Sequence, residues 1–154
     1  MSTERDRIIE TTIRVAWYAD QRRWDDIAGL FADQVLLDYT SLAGGEPMTV
    51  KPSDIAASWK ATLGGLDGTQ HLVSNHLVEV AQDGTNAVAT AQFLATHLLA
   101  NPHGGATWTL GGHYRWTLRQ IEDRWRIKSM TMTATWASGN QQIMTLAAGR
   151  GPES

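Results

Sequence analysis

The feature that most constrains this chain is a change of hydrophobic period near residue 70. From there onward, the stretches 70–81, 86–99, 107–121 and 124–136 read as strands. They are separated only by Gln82-Asp83-Gly84, Asn101-Pro102-His103-Gly104-Gly105 and Glu122-Asp123. Asp-Gly and Asn-Pro initiate turns well, so successive strands are expected to pair antiparallel. Alternation is clearest at 86–98, where Ala87, Ala89, Ala91, Phe93, Ala95 and His97 share one face. Val88, Thr90, Gln92, Leu94, Thr96 and Leu98 take the other. Both faces mix polar and apolar groups, which predicts that one packs on helices and the other meets a partner or a partly open cavity.

Helical spacing dominates the chain before this point. Ile8, Thr12, Val15 and Ala19 form one face of a first helix, with Ser2 or Thr3 as its N-cap. Trp24, Ile27, Ala28 and Phe31 predict a second, after the polar break Asp20-Gln21-Arg22-Arg23. Val35–Tyr39 is short and β-like and leads into the loop Ala43–Pro47. Pro52 suits a first helical turn, and Ile55, Trp59 and Leu63 carry a third helix to Gly64-Gly65. Helices followed by long antiparallel strands define an α+β pattern. One domain over 1–146 is expected, with 147–154 as a disordered tail.

Composition narrows the functional classes. A net charge of −3 and no Lys/Arg run argue against nucleic acid as a partner. Cysteine is absent, which removes disulfides, thiolate catalysis and Cys-ligated zinc. The charged opening MSTERDR leads into no long apolar stretch, and no segment approaches membrane-spanning length. The expectation is a soluble cytoplasmic protein. Seven tryptophans point to an aromatic core or pocket lining.

The segment Thr69-Gln70-His71-Leu72-Val73-Ser74-Asn75-His76 is rich in groups that do chemistry. On a regular strand His71, Val73 and Asn75 share a face, with His71 and Asn75 roughly 13 Å apart. His76 falls on the opposite face, so His71 and His76 are not expected to share a metal, and no metal or cofactor is expected. Asp20 ends the first helix. Taken singly, His71 reads more readily as a structural residue and Asp20 as a solvated one, and sequence spacing alone cannot join them.

Tyr18-Ala19-Asp20, Trp24-Asp25, Leu30-Phe31-Ala32, Asp38-Tyr39, Thr69-Gln70-His71, Asn75-His76, Gly112-His113-Tyr114 and Trp125-Arg126-Ile127 occur in an order that resembles the SnoaL-like branch of the nuclear transport factor 2 superfamily. Within it the pattern is most similar to the scytalone dehydratases. The resemblance covers residues from about 6 to 140. It implies a cone in which three N-terminal helices close a strongly curved, mostly antiparallel sheet around a pocket. It also implies Asp20 and His71 as an acid–base pair, as in the superfamily's dehydrochlorinases. Tyr39 matches a pocket tyrosine, and Tyr18, Asn75, His97, His113 and Trp59 are further candidates to line the pocket. His97 is placed at the rim or inside, and Tyr114 is the alternative to His113 as the inward residue. A histidine titrates near neutrality, and a carboxylate beside it orients the ring and stabilises the imidazolium.

Two functions follow. One is a cofactor-independent lyase or isomerase, dehydratase- or cyclase-like, acting on a small, partly apolar, cyclic or polyketide-like molecule. The other is a non-catalytic module that binds a small molecule or a partner. Superfamily likeness further implies a homodimer through the outer sheet face, for which Leu94, Thr96, Leu98, Trp116, Met130 and Met132 are candidates. Packing of the same residues on the helices is the alternative.

Overall fold

A computed structural model describes residues 1–150. Helix α1 spans Glu4–Asp20 and is started by a reciprocal cap. The Thr3 hydroxyl accepts from the Asp6 N–H at 3.1 Å, and the Asp6 carboxylate accepts from the Thr3 N–H at 3.0 Å. This satisfies two N–H groups that a helix start otherwise leaves unpaired. Its buried residues are Ile8, Thr12, Val15 and Ala19, the face that the spacing predicts.

Helix α2 (Trp24–Ile27) tightens into a 3₁₀ turn at Ala28–Leu30 and passes directly into strand β1 (Phe31–Asp38). Phe31, expected on the helix, therefore opens the strand, yet it is buried all the same. Two short elements follow that were not predicted, helix α3 (Thr40–Ala43) and strand β2 (Met48–Val50). Asp38 holds the start of α3 by accepting from the Thr40 N–H and hydroxyl, which keeps its carboxyl below the usual range. Helix α4 runs Pro52–Leu63 with proline in its first turn.

Strands β3 (Gly68–Val80), β4 (Asn86–Leu98), β5 (Thr107–Ile121) and β6 (Arg124–Gly139) match the expected stretches closely. Residues 147–150, expected in a disordered tail, belong instead to helix α5 (Gln142–Arg150), which packs on α4. Ile143 and Ala147 lie one turn apart and are fully buried, and that apolar pair fixes the helix to the body. The remainder of the expected tail, residues 151–154, lies outside the described residues.

The six strands form one curved, unclosed sheet in the order β2-β1-β6-β5-β4-β3. β1 runs parallel to β6, and every other pair is antiparallel. Register shifts in four places, at Phe31/Leu36, Ser74/Leu77, Gly111/Gly112 and Thr117/Leu118. Each such irregularity bends and twists a ladder, which lets a sheet of long strands wrap around α1. Ala87, Ala89, Ala91, Phe93, Ala95 and His97 of β4 all face inward and are buried, as the alternation predicts.

Of the residues expected at an outer-face interface, Leu94, Thr96 and Leu98 do lie on that face. Trp116, Met130 and Met132 do not: they point inward and are at most 3% exposed. Trp116 pairs in register with inward-facing Ala89 and with Met130, which sets their common direction. No helix among the described residues is long and apolar enough to cross a membrane.

The β5–β6 irregularity depends on glycine. A Cβ on Gly112 would run into the Thr133 carbonyl oxygen, whereas one on Gly29 would meet nothing within 4 Å. Gly112→Ala should lose about 1–3 kcal/mol of stability through forced overpacking. Gly29→Ala should stay within about 0.5 kcal/mol. Urea unfolding of the two variants checks this directly.

Candidate active site

Asp20 is the last residue of α1, at the helix end that carries partial negative charge, and no basic side chain occupies that turn. A carboxylate is tolerated there because β3 supplies three donors. The His71 backbone N–H reaches Oδ2 at 2.7 Å, the Thr69 hydroxyl reaches Oδ1 at 2.8 Å, and His71 Nδ1 lies 2.7 Å from the same Oδ1. Arg22, in the left-handed region at φ 59°, braces the junction by donating to the Gly64 carbonyl at 2.7 Å and to the Leu66 carbonyl. The pair is largely enclosed, with side-chain exposures of 13% for His71 and 12% for Asp20.

This geometry fixes the histidine tautomer. An ionised carboxylate only accepts, so His71 Nδ1 carries the hydrogen and the lone pair of the neutral ring is on Nε2. His71 lines a cavity of about 120 Å³ between α1, α3, α4 and the inner face of the sheet. His97 stands beside it, with ring centroids 6.1 Å apart, and is 4% exposed. Its Nδ1 lies 3.1 Å from the Trp108 carbonyl, which can only accept, so its neutral form also presents a bare Nε2. Burial lowers the His97 pKa, and a charged His71 nearby lowers it further, against opposing effects of the Trp108 carbonyl and Asp20.

Apart from Thr12 and Thr62 the rest of the wall is aromatic or aliphatic, with Trp59, Trp108, Trp116, Phe93, Met130 and Met132 as its largest members. Two phenols join them, Tyr39 and Tyr114. Burial raises both phenols well above the usual tyrosine range, and the Asp20 charge pushes Tyr114 the same way. Both therefore remain neutral donors at ordinary pH. The lining contains no Lys or Arg.

The structure thus brings His71, Tyr39, Trp59 and His97 to one cavity, with Asp20 bonded to His71 behind its wall, and leaves out three expected residues. Asn75 sits in the β3 bulge at φ 61°, is exposed, and donates to Gln92 Oε1 at 2.5 Å. The same bulge inserts one residue and reverses the alternation beyond it. His76, expected on the opposite face from His71, consequently turns inward, where Nε2 lies 2.9 Å from the Thr12 hydroxyl. Tyr18 packs against Arg23, whose guanidinium carbon lies 4.6 Å from the ring centroid, and does not line the cavity. It follows neither the i+4 nor the i+7 step of the buried α1 face. His113 is exposed and pairs with outward-facing Gln92, whereas Tyr114 pairs with inward-facing Ala91. Among the described residues no cluster of three or more His, Asp or Glu is arranged to hold a metal ion.

Trp108, Tyr114 and Trp116 were the residues to find from sequence. They occupy alternate β5 positions, in phase with Leu110 and Leu118, and that even-numbered series is the inner face.

The SnoaL-like domain family matches residues 1–131, and the chain belongs to that family, with a fold of the nuclear transport factor 2 type. Among solved structures it is similar to the Kfla4162 protein of Kribbella flavida. Identity there is 29% over 94% of this chain and 96% of the other, with a TM-score of 0.83. A Novosphingobium aromaticivorans DSM 12444 protein provisionally named scytalone dehydratase shares 18% identity over 90% and 88%, at TM-score 0.77. The type 2 hexachlorocyclohexane dehydrochlorinase LinA shares 13% over 88% of each chain, at TM-score 0.73. No curated protein matches the chain.

Burial lowers the His76 pKa as well, with Arg5 adding to the effect. As pH falls through about 6.5 and below, the unfolded chain binds protons that folded His76 and His97 resist, so stability falls on acidification. His97→Asn should flatten this dependence, read as the slope of urea-unfolding free energy against pH over that window. An unchanged slope would mean that His97 titrates as freely in the folded chain as in the unfolded one.

Proposed function

We propose that the protein is a cofactor-independent lyase or isomerase that moves a proton on a small, partly apolar, cyclic or polyketide-like molecule. The observation that carries this reading is the Asp20 carboxylate holding His71 Nδ1 at 2.7 Å inside an apolar cavity. A ring oriented in this way can take a proton at Nε2, and the carboxylate stabilises the imidazolium that forms. The substrate hydrogen removed is one α to a carbonyl. The electron pair it leaves moves into the carbonyl system, where Tyr39 and Tyr114 are placed as neutral donors.

From that point the pair either returns to carbon elsewhere, an isomerisation, or expels a β-substituent. A cavity wall without Lys or Arg offers no counter-charge to an anionic leaving group. Loss of water, with the departing hydroxyl protonated by the His71 cation that took the α-proton, therefore suits the site better than loss of halide or carboxylate. His97 Nε2, beside His71 in the cavity, is a second lone pair available to the substrate's α-proton.

Leu72, Leu94, Leu98 and Trp136 leave apolar surface on the outer sheet face, each more than a third exposed. We propose this face as the contact of a homodimer, which light scattering coupled to gel filtration tests. A monomeric mass at micromolar concentration would remove it.

Proton abstraction is measurable without the natural substrate, as deuterium exchange α to the carbonyl in a panel of cyclic ketones followed by NMR. His71→Ala and Asp20→Asn should lower the exchange rate by about 10²–10⁴-fold while the far-UV spectrum is retained. Wild-type protein that binds the ketones but exchanges nothing would move the assignment to a binding module.

A further inference from the structure

The three donors that hold Asp20 are not equivalent. One is the His71 backbone N–H, which any residue but proline would supply there, and one is the His71 ring itself. Only the Thr69 hydroxyl, 2.8 Å from Oδ1, comes from a side chain outside the acid–base pair. Among the described residues no Lys or Arg bonds to Asp20, and Arg22, close by in sequence, gives its guanidinium to the Gly64 and Leu66 carbonyls. The carboxylate therefore has no cation to fix its rotation.

Thr69 stands two residues before His71 on β3, on the same face, and pairs in register with inward-facing His97. It is half-buried, yet it is absent from the cavity lining. A ligand in the cavity does not meet it, so its effect on the site passes through Asp20. Its hydroxyl and His71 Nδ1 converge on Oδ1, while Oδ2 is left to the backbone N–H. The imidazole is tied at Nδ1 alone, so the plane of the carboxylate sets the direction of Nε2. With the hydroxyl removed, each oxygen keeps a single donor and the carboxylate can turn with the ring. Threonine suits the task, since branching at Cβ restricts χ1 and holds the hydroxyl on its acceptor.

We propose that Thr69 is a positioning residue: its hydroxyl locks the rotation of the Asp20 carboxylate and so aims His71 Nε2 into the cavity. The kinetic consequence rests on proton transfer by His71, whereas the alignment itself belongs to the protein without ligand. Two substitutions separate this role from packing. Thr69→Val keeps the shape of the side chain and loses the donor, and Thr69→Ser keeps the donor and loses the methyl. A side chain needed only for packing tolerates valine better than serine, and one needed for its hydrogen bond reverses that order.

The first readout is deuterium exchange α to the carbonyl of cyclohexanone, with the full chain. Thr69→Val should slow it by roughly ten- to a hundredfold, the worth of one hydrogen bond to a charged group, and Thr69→Ser should bring the rate back to within about threefold of wild type. Equal loss in both variants, or a serine variant slower than the valine one, overturns the assignment. The second readout is the His71 Nδ1–H resonance of ¹⁵N-histidine-labelled protein, identified by its loss in His71→Ala. It should be sharp in wild type and Thr69→Ser and broadened by solvent exchange in Thr69→Val. A resonance equally sharp in Thr69→Val, or missing from wild type, overturns the assignment whether or not the protein is active. If wild type leaves the ketone unexchanged while the resonance behaves as expected, the proton-transfer reading falls and Thr69 keeps its positioning role. Should Thr69→Val not fold, Thr69→Ala takes its place as the hydroxyl-free variant in both readouts.

Discussion

The carboxylate of Asp20 is the joint on which the site depends. It ends α1 at the pole where a negative charge is least favoured, and it is held there by three donors from a three-residue span of β3. One of those donors is a backbone N–H. The contact therefore positions the strand as well as the imidazole, and the helix end and sheet edge cannot separate without breaking all three bonds. Two bonds converge on Oδ1, so rotating the carboxylate to suit one partner loses the other. A single residue thus sets the orientation of His71 and fixes which nitrogen bears its hydrogen.

The sheet supplies the opposite constraint, since the cavity exists only because long strands are bent. The β3 bulge shows how local chain geometry redirects chemistry. One inserted residue at Asn75 sends an amide out to Gln92 and brings the His76 imidazole in against Thr12 and Trp116. Four alanines on the inner face of β4 leave room for α1 and for the aromatic groups of β5. Small residues on one strand and large ones on the next divide the volume between helix packing and cavity.

What could be read from the sequence follows the same division. Regular periodicity gave the α1 face and the four long strands, because burial imposes the period of 3.6 or 2 directly on the residue pattern. The Asp20–His71 pair was legible only through family resemblance, because residues 51 positions apart carry no local signal of contact. Asn75, His76 and His113 were misplaced for two reasons. A bulge leaves no reliable trace in hydrophobic alternation, and the phase of β5 was left open between His113 and Tyr114 although Trp108, Leu110 and Trp116 define it. Helix α5 was missed because a polar Asn-Gln-Gln approach disguises the Ile143 and Ala147 spacing.

The cavity is chemically one-sided, and that asymmetry bears on what it can do. Its lining holds no carboxylate, Lys or Arg; Asp20, bonded to three donors, stands behind His71, and the polar side chains of the wall are imidazoles, indoles, phenols and two threonine hydroxyls. In a low-dielectric enclosure an added charge on the ligand would lack a partner, and its desolvation would oppose binding. A neutral ligand escapes that penalty, and in the proposed reaction charge would appear only as a proton moves to His71, beside the carboxylate that would stabilise the imidazolium. The arrangement is hostile to charged ground states and supportive of one charged intermediate, which is the condition for binding energy to be expressed during reaction rather than before it.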